Sequence, residues 1–271
     1  MTWGSQVLAM LAKLGKKTAF IGKVGDDFLG RHLKDVVEAV GIDTRNLKLD
    51  DQVHTTLAFV HTYPDGDRDF SFYRNPGADM NLRAEEIDAD LIADSEIFHF
   101  GSLSLTHPGV REATKKALAI AKEQGCLISY DPNLRPPLWN TLEEAKEQIA
   151  FGMTQCDIMK ISDNEIQWFT GEEDFDAGIR ILQDTYHIPL ILLSMGRDGS
   201  RAYYRDLRVE AAPFLQKNTI ETTGAGDTFN GILAVCLAEG MDLEMACRWA
   251  VAGSGLSVTK KGVMNAIPYR K

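Results

Sequence analysis

The sequence predicts an α/β fold, a mostly parallel central sheet covered by helices, with a small β-hairpin set into it. Three observations carry that expectation. Apolar runs of strand length alternate with longer segments of helical period, the pattern of strands joined through crossover helices. The chain has 271 residues, 44% hydrophobic and 25% charged, which is ordinary globular composition and long enough for a large buried core. One stretch, Thr55 to Arg74, breaks the rhythm with two strands around Pro64-Asp65-Gly66-Asp67, a strong turn.

Taken in order, the first predicted strand is Thr18 to Ile21. The hairpin follows, and it reads either as an edge extension of the sheet or as a lid over a site. Four further strands are predicted at Ile97–Phe100, Leu127–Tyr130, Ile158–Ile161 and Leu190–Leu193. Between them, apolar residues recur every three or four positions: Val110, Ala113, Ala117 and Ala121; Leu142, Ala145, Ile149 and Gly152; Ile179, Leu182 and Tyr186. Tyr203-Tyr204 and Arg208-Val209-Glu210 predict short strands. Phe229, Ile232, Leu233 and Cys236 give one late helix an apolar stripe, and Leu243, Ala246, Ala250 and Gly253 give the next a narrow face. With no repeat or linker in view, the expectation is a single domain over residues 1–271 with a lid at about 53–75.

Charge and composition exclude several classes. The formal net charge is -10 and no dense Lys/Arg block occurs, so nucleic acid is not an expected partner. An anionic substrate is compatible with this, because a helix N-terminus and a few local cations suffice to hold one. The four cysteines lie far apart and the six histidines show no ligand spacing, which implies a reducing compartment and no protein-built zinc site. The apolar stretch Val7–Leu11 is too short for a signal peptide, and its lysines follow it; no run reaches membrane-spanning length. A cytoplasmic protein without a membrane partner is expected. The phosphate loop G-x-x-x-x-G-K-[ST] is absent, since Gly15-Lys16 is followed by Lys17, and the protein-kinase signatures are absent too.

The segment with chemistry in it is Thr222-Thr223-Gly224-Ala225-Gly226-Asp227, directly before a helix predicted to start near Thr228. Small residues leave the backbone N–H groups unobstructed, and a helix start aims its free donors and positive dipole end outward. Such a turn cradles a phosphoryl group as charge builds on it, with the Asp227 carboxylate beside it. Read alone, a short glycine motif fits equally a plain turn with Asp227 capping the helix.

Its length and company go further. Glu221 to Phe229 closely resembles the C-terminal signature of PfkB (ribokinase-like) carbohydrate kinases, written D-T-x-G-A-G-D. Ala19 to Gly30 resembles that family's first strand-turn-helix. Ser129-Tyr130-Asp131-Pro132-Asn133-Leu134-Arg135 resembles its D-x-N-x-R strand end, Ser194 to Gly199 its nucleotide-side loop, and Lys260-Lys261-Gly262 its closing segment. Phe100 to Leu105, Phe72 to Asp79 and Trp139 look most like bacterial and plant fructokinases.

The resemblance implies a three-layer α/β/α fold and an ATP-dependent sugar kinase, most like one acting on fructose. Asp227 would be the base that takes a proton from the sugar's primary hydroxyl, and the amides of Gly224, Ala225 and Gly226 would hold the transferring phosphoryl group. Arg135 would neutralise phosphate charge, or serve only in a surface ion pair. Ser194, Gly196, Gly199 and Asn265 would contact the nucleotide. Gln6, Arg74, Asp131 and Asn133 would bind the sugar. Glu165, in Ser162-Asp163-Asn164-Glu165, would reach Mg²⁺ through water, while Ser162 or Asp163 caps the helix there. A K⁺ site is implied at Glu221, one methylene longer than the family's usual Asp. Relatives also dimerise through the lid.

The opening departs from the pattern. Family members begin with a strand bearing a sugar-binding Asp, then lid strands, then G-G-x-x-x-N. Here Gln6 stands at the position of that Asn, and Met1 to Gln6 offer no counterpart to the strand, so the domain reads as N-terminally incomplete. A polyol site that loses hydrogen-bond partners loses selectivity. The alternatives left open are a kinase for another small polyol, such as 2-keto-3-deoxygluconate or a nucleoside, and a catalytically silent nucleotide-binding or regulatory paralogue.

Overall fold

In the computed structural model, which describes residues 3–62, 68–214, 216, 218–262 and 266–268, the chain opens with helix α1 (Trp3–Lys13). The single strand expected at Thr18–Ile21 is instead divided. Strand β1 (Thr18–Ala19) is followed by β2 (Gly22–Gly25), then helix α2 (Phe28–Ala39), β3 (Ile42–Asp43) and β4 (Leu47–Asp50). β1 pairs in parallel with β3, and β2 with β4. The division follows the partner: between β3 and β4 the chain turns, with Leu47 N donating to Thr44 O at 2.8 Å. Asp27 caps α2, accepting from Gly30 N at 2.8 Å.

The hairpin forms from β5 (Leu57–Thr62) and β6 (Arg68–Tyr73), paired antiparallel from Leu57↔Tyr73 to Thr62↔Arg68. Its expected turn, Pro64 to Asp67, lies outside the described residues. Ala58, Val60, Phe70 and Phe72 line a cavity beneath the hairpin, whereas Phe59 and Tyr73 lie exposed, their rings 5.4 Å apart. Period-two alternation therefore gives the hairpin an inner and an outer face.

Past a short helix, α3 (Ala89–Ala93), the chain builds the sheet: β7 (Ile97–Gly101), α4 (Pro108–Glu123), β8 (Leu127–Asp131), α5 (Leu142–Gln155), β9 (Ile158–Ser162), α6 (Asp163–Thr170), α7 (Phe175–Tyr186) and β10 (Leu190–Ser194). β11 (Ser200–Tyr204) and β12 (Leu207–Ala211) extend it, giving the order β12-β11-β10-β9-β8-β7. β7 to β10 are parallel, and the two added strands run antiparallel. On its other side β7 pairs with no strand among the described residues.

Each long apolar run became a strand one residue longer than expected, ending at a polar or glycine residue: Gly101, Asp131, Ser162 and Ser194. The two faces differ. Phe100, Ile128, Tyr130, Met159, Ile161, Ile191 and Leu193 form one continuous core with α4 and α5. The other face is apolar at Leu190, Leu192 and Ala202, which pack with α8 (Ala225–Ala238) and α9 (Leu243–Ser257). Toward β7 that same face turns polar, through His99, Ser129, Asp131 and Lys160, residues spaced by two along their strands. That polar half lies where α8 begins.

Candidate active site

Helix α8 starts three residues earlier than expected because the chain turns at Gly224, whose φ of 80° is left-handed. Glycine takes that conformation without strain, and a side chain would not. Ala225 N turns back to Thr222 O at 3.3 Å, and the helical ladder begins with Thr228 N donating to Gly224 O at 2.9 Å. The amides of Gly226 and Asp227 donate to no backbone acceptor among the described residues. They are the orphan donors of a first turn, at the positive end of the helix dipole. Of the amides expected to face a ligand, Ala225's is therefore spent internally, Gly224's and Gly226's have no backbone acceptor among the described residues, and Asp227's own joins them.

Asp227 lines a cavity of about 1460 Å³ together with Thr223, Asp131, Asn133 and Asn230. Asp131, at the end of β8, is buried and accepts from Asn230 Nδ2 at 2.8 Å. Lys160 Nζ lies 3.4 Å from Asp131 Oδ2. A Cβ placed on Gly226 would stand 3.4 Å from the same ammonium, so Lys160 rests against the glycine turn.

These groups set one another's proton affinities. Burial pushes the Asp227 carboxyl up to about 7, the Asp131 charge adds to this, and Lys160 and Arg135 oppose it. Burial works against the Lys160 ammonium, but Asp131, Glu165 and Asp227 together outweigh it and hold its pKa above the usual lysine value. His99, whose Nδ1 is 2.9 Å from Ser129 Oγ, is held down to about 4 by burial and then by the Lys160 charge. It is neutral at physiological pH.

Glu165 begins α6 in a reciprocal capping box: Oε2 accepts from Ser162 N at 2.9 Å and Ser162 Oγ at 2.7 Å. Oε1 accepts from Leu134 N at 2.7 Å, which ties α6 to the loop bearing Asn133 and Arg135. Burial disfavours its charge, yet Lys160 and these donors overcome that and lower its pKa. No group of three or more His, Cys, Asp or Glu able to hold a metal ion occurs among the described residues. Oε1 retains a lone pair beyond its bond from Leu134, and one such carboxylate among waters and phosphate oxygens is the donor set that Mg²⁺ asks of a protein.

The other expected residues do not all meet at this cavity. Asn133, in the left-handed region at φ 44°, and Gln6, whose buried Oε1 has no hydrogen-bond partner, line the same cavity as Asp227. Arg74 lines it too, but its guanidinium is engaged: Nε donates to Asp79 at 2.7 Å, Nη1 to Thr106 at 2.7 Å and Nη2 to the Leu103 carbonyl at 3.1 Å. It anchors the base of the hairpin. Arg135 Nη1 donates to Leu134 O at 2.8 Å, and its Cζ stands 5.8 Å from the Phe70 ring of the hairpin. Ser194, Gly196 and Gly199 lie apart from the cavity lining, at the end of β10 and in the turn to β11. Glu221 accepts from Gly262 N at 2.9 Å, joining the approach to Gly224 with the closing segment. Asn265 lies outside the described residues.

Sequence reasoning passed over Lys160, Asn230 and His99. The signal for two of them was in plain view. Each is a cationic or polar residue inside an apolar strand run, Ile158-Met159-Lys160-Ile161 and Ile97-Phe98-His99-Phe100. A parallel strand covered on both faces carries such a residue only where something answers it.

Residues 4–270 match the family model described as pfkB family carbohydrate kinase. Among curated proteins, the chain is 38% identical to fructokinase-2 of Solanum lycopersicum over 97% of its own length and 82% of that protein's. Among solved structures, it superposes on the fructokinase of Vibrio cholerae O395, in a form binding fructose, ADP and a calcium ion, with a TM-score of 0.91 and 28% identity, covering 100% of this chain and 88% of that one. The ATP-bound fructokinase of Xylella fastidiosa is similar to the same degree, with a TM-score of 0.91 and 28% identity over 99% of this chain and 87% of that one.

Proposed function

The chain belongs to the pfkB family of carbohydrate kinases and is an ATP-dependent sugar kinase; from that premise we propose that its sugar is fructose and that Asp227 is the base of the transfer. One observation carries the reading. The Asp227 carboxylate stands in the first turn of α8, next to amides without a backbone acceptor, and lines the cavity that also contains Asp131 and Asn133.

The chemistry follows from that arrangement. The sugar lies in the cavity with its primary hydroxyl against Asp227, held by hydrogen bonds from Asn133 and Gln6 and by the buried Asp131. Asp227 accepts the hydroxyl proton as the oxygen attacks the γ-phosphorus of ATP and the bond to ADP breaks. The amides of Gly224, Gly226 and Asp227 hold the equatorial phosphoryl oxygens, fixed donors aimed at charge as it develops. A carboxyl with its pKa near 7 both takes and returns a proton readily at neutral pH. Arg135 stands at the hairpin's Phe70 and would balance phosphate charge as the lid closes. Mg²⁺ entering with the nucleotide would neutralise phosphate charge, with Glu165 holding one of its waters.

Three finer points belong to the same reading. Ser194, Gly196 and Gly199 would border the nucleotide beyond the end of β10. K⁺ would sit near Glu221, and activity in KCl should exceed that in choline chloride. The exposed Phe59 and Tyr73 would pair the hairpin with that of a second copy, so Phe59→Asp should lower the mass measured by sedimentation.

The test is ADP release from ATP with a panel of sugars. Fructose should give the highest kcat/KM. A higher value for a nucleoside or for 2-keto-3-deoxygluconate would replace fructose, and ATP binding without turnover on any sugar would identify a silent member.

A further inference from the structure

Lys160 is a cation on a parallel strand whose neighbours, Met159 and Ile161, belong to the core. It is itself buried. An ammonium so placed persists only where carboxylates compensate for its lost hydration. Its Nζ lies 3.4 Å from Asp131 Oδ2 and 3.5 Å from Oδ1, and the charges of Glu165 and Asp227 reach it as well.

We propose that Lys160 is a positioning residue of the transfer site: it pins Asp131 against the glycine turn and supplies the positive charge beside which Asp227 works as base. This rests on the reading of Asp227 as the base. The groups acting on Asp227 among the described residues are Asp131 of β8, Lys160 of β9 and Arg135 of the loop after β8. Lys160 in turn faces Glu165 at the start of α6 and the neutral His99 of β7. Without Lys160, buried carboxylates would crowd together with Arg135 as the remaining nearby cation. Like charges in one buried site force a member to keep its proton, and Asp227, already poised near 7, is the member whose protonation stops the reaction.

Lys160→Met removes the charge, Lys160→Arg keeps it, and Lys160→Met combined with Asp131→Asn removes both members of the pair. The Asp227 titration is read in the substrate-free protein by carboxyl ¹³C NMR, assigned with Asp227→Asn, and in parallel as the acid limb of kcat/KM for fructose. Lys160→Met should raise the midpoint by about one pH unit, the low end of the effect of a nearby opposite charge, with a roughly fivefold loss at pH 7 largely regained at pH 9. Lys160→Arg should keep the wild-type midpoint, and the double variant should move back toward it. A purely structural lysine would change the melting temperature and leave the midpoint in place.

An unmoved midpoint in folded Lys160→Met, or an equal displacement in Lys160→Arg, overturns the proposal. Should Lys160→Met alone not fold, the double variant must titrate about one unit above Asp131→Asn, and equal midpoints overturn it. Asp227→Asn separates the two readings. Turnover at the wild-type rate in that variant removes the base itself, whereas a silent Asp227→Asn with an unmoved Lys160→Met midpoint removes only the role of Lys160.

Discussion

Asn230 donates its side-chain amide to the Asp131 carboxylate at 2.8 Å, joining α8 to the end of β8 across 99 residues of chain. Asn230 lies three residues, just under one turn, beyond Asp227 on the same helix, so this bond ties the position of Asp227 to the sheet. Asn230→Ala should leave Asp131 short of a donor in a buried site, at a stability cost of about 1–3 kcal/mol. Urea unfolding measures it. A loss of kcat larger than the loss of stability explains would show that the bond also aims the base.

Asp227→Asn should lower kcat by about 100-fold or more, the range of a positioned general base, with ATP affinity within a few-fold of wild type by calorimetry. The pH dependence has two signs. Turnover needs the carboxylate, so wild-type kcat/KM should rise with pH through about 7. Stability runs the other way. A folded-state pKa raised from 3.8 to about 7 means that the folded protein holds this proton more tightly than the unfolded chain. Its contribution is fully present below the unfolded value and is lost as pH rises through 7. Asp227→Asn should therefore gain on wild type in thermal denaturation as pH is raised from 4 to 8.

The elements legible in the sequence were those that local pattern decides. The strands from Ile97 to Leu193 and the helices between them appeared where periodicity placed them, because each buries an apolar face against its immediate neighbours. Gly224 to Asp227 was legible for a similar reason, since a glycine turn into a helix start is a local object. The division of Thr18–Ile21 was not, because it follows the turn at Thr44, a partner 26 positions away. Nor were Asn230 and Lys160, whose meaning comes from Asp131, 99 and 29 positions distant in the chain. The engagement of Arg74 was likewise invisible, since Thr106 and the Leu103 carbonyl come from the turn after β7.

The helix that carries the site is also held from behind. At Gly231 a Cβ would stand 2.7 Å from Met10 Cβ and 3.1 Å from Val7 O, so α1 and α8 approach through this glycine. Helix propensity alone favours alanine here by up to about 1 kcal/mol. The steric cost should exceed it, because Met10 Cβ stands directly upon the α1 backbone and Val7 O belongs to it. Gly231→Ala should be destabilised by about 1–3 kcal/mol, the usual penalty of overpacking. A urea midpoint equal to or above that of wild type would show that α1 yields easily.

Arg74 joins the hairpin to the floor of the cavity by contacts that lysine cannot reproduce. Its planar fork meets Asp79 through Nε at 2.7 Å and Nη2 at 2.6 Å, while Nη1 reaches Thr106 at 2.7 Å. Asp79 also accepts from Thr56, just before β5, so one carboxylate receives both ends of the hairpin. Lysine would keep the charge but present a single point donor. With Arg74→Lys, hydrogen exchange in β5 and β6 should quicken while α8 keeps its protection, since the loss is local. The sugar KM should rise by about tenfold, the equivalent of 1.4 kcal/mol, with a smaller change in kcat, because a loosened lid weakens sugar binding and leaves Asp227 in place. Were kcat to fall and KM to hold, Arg74 would be acting on the transfer step itself, and the hairpin would have no part in closing the site.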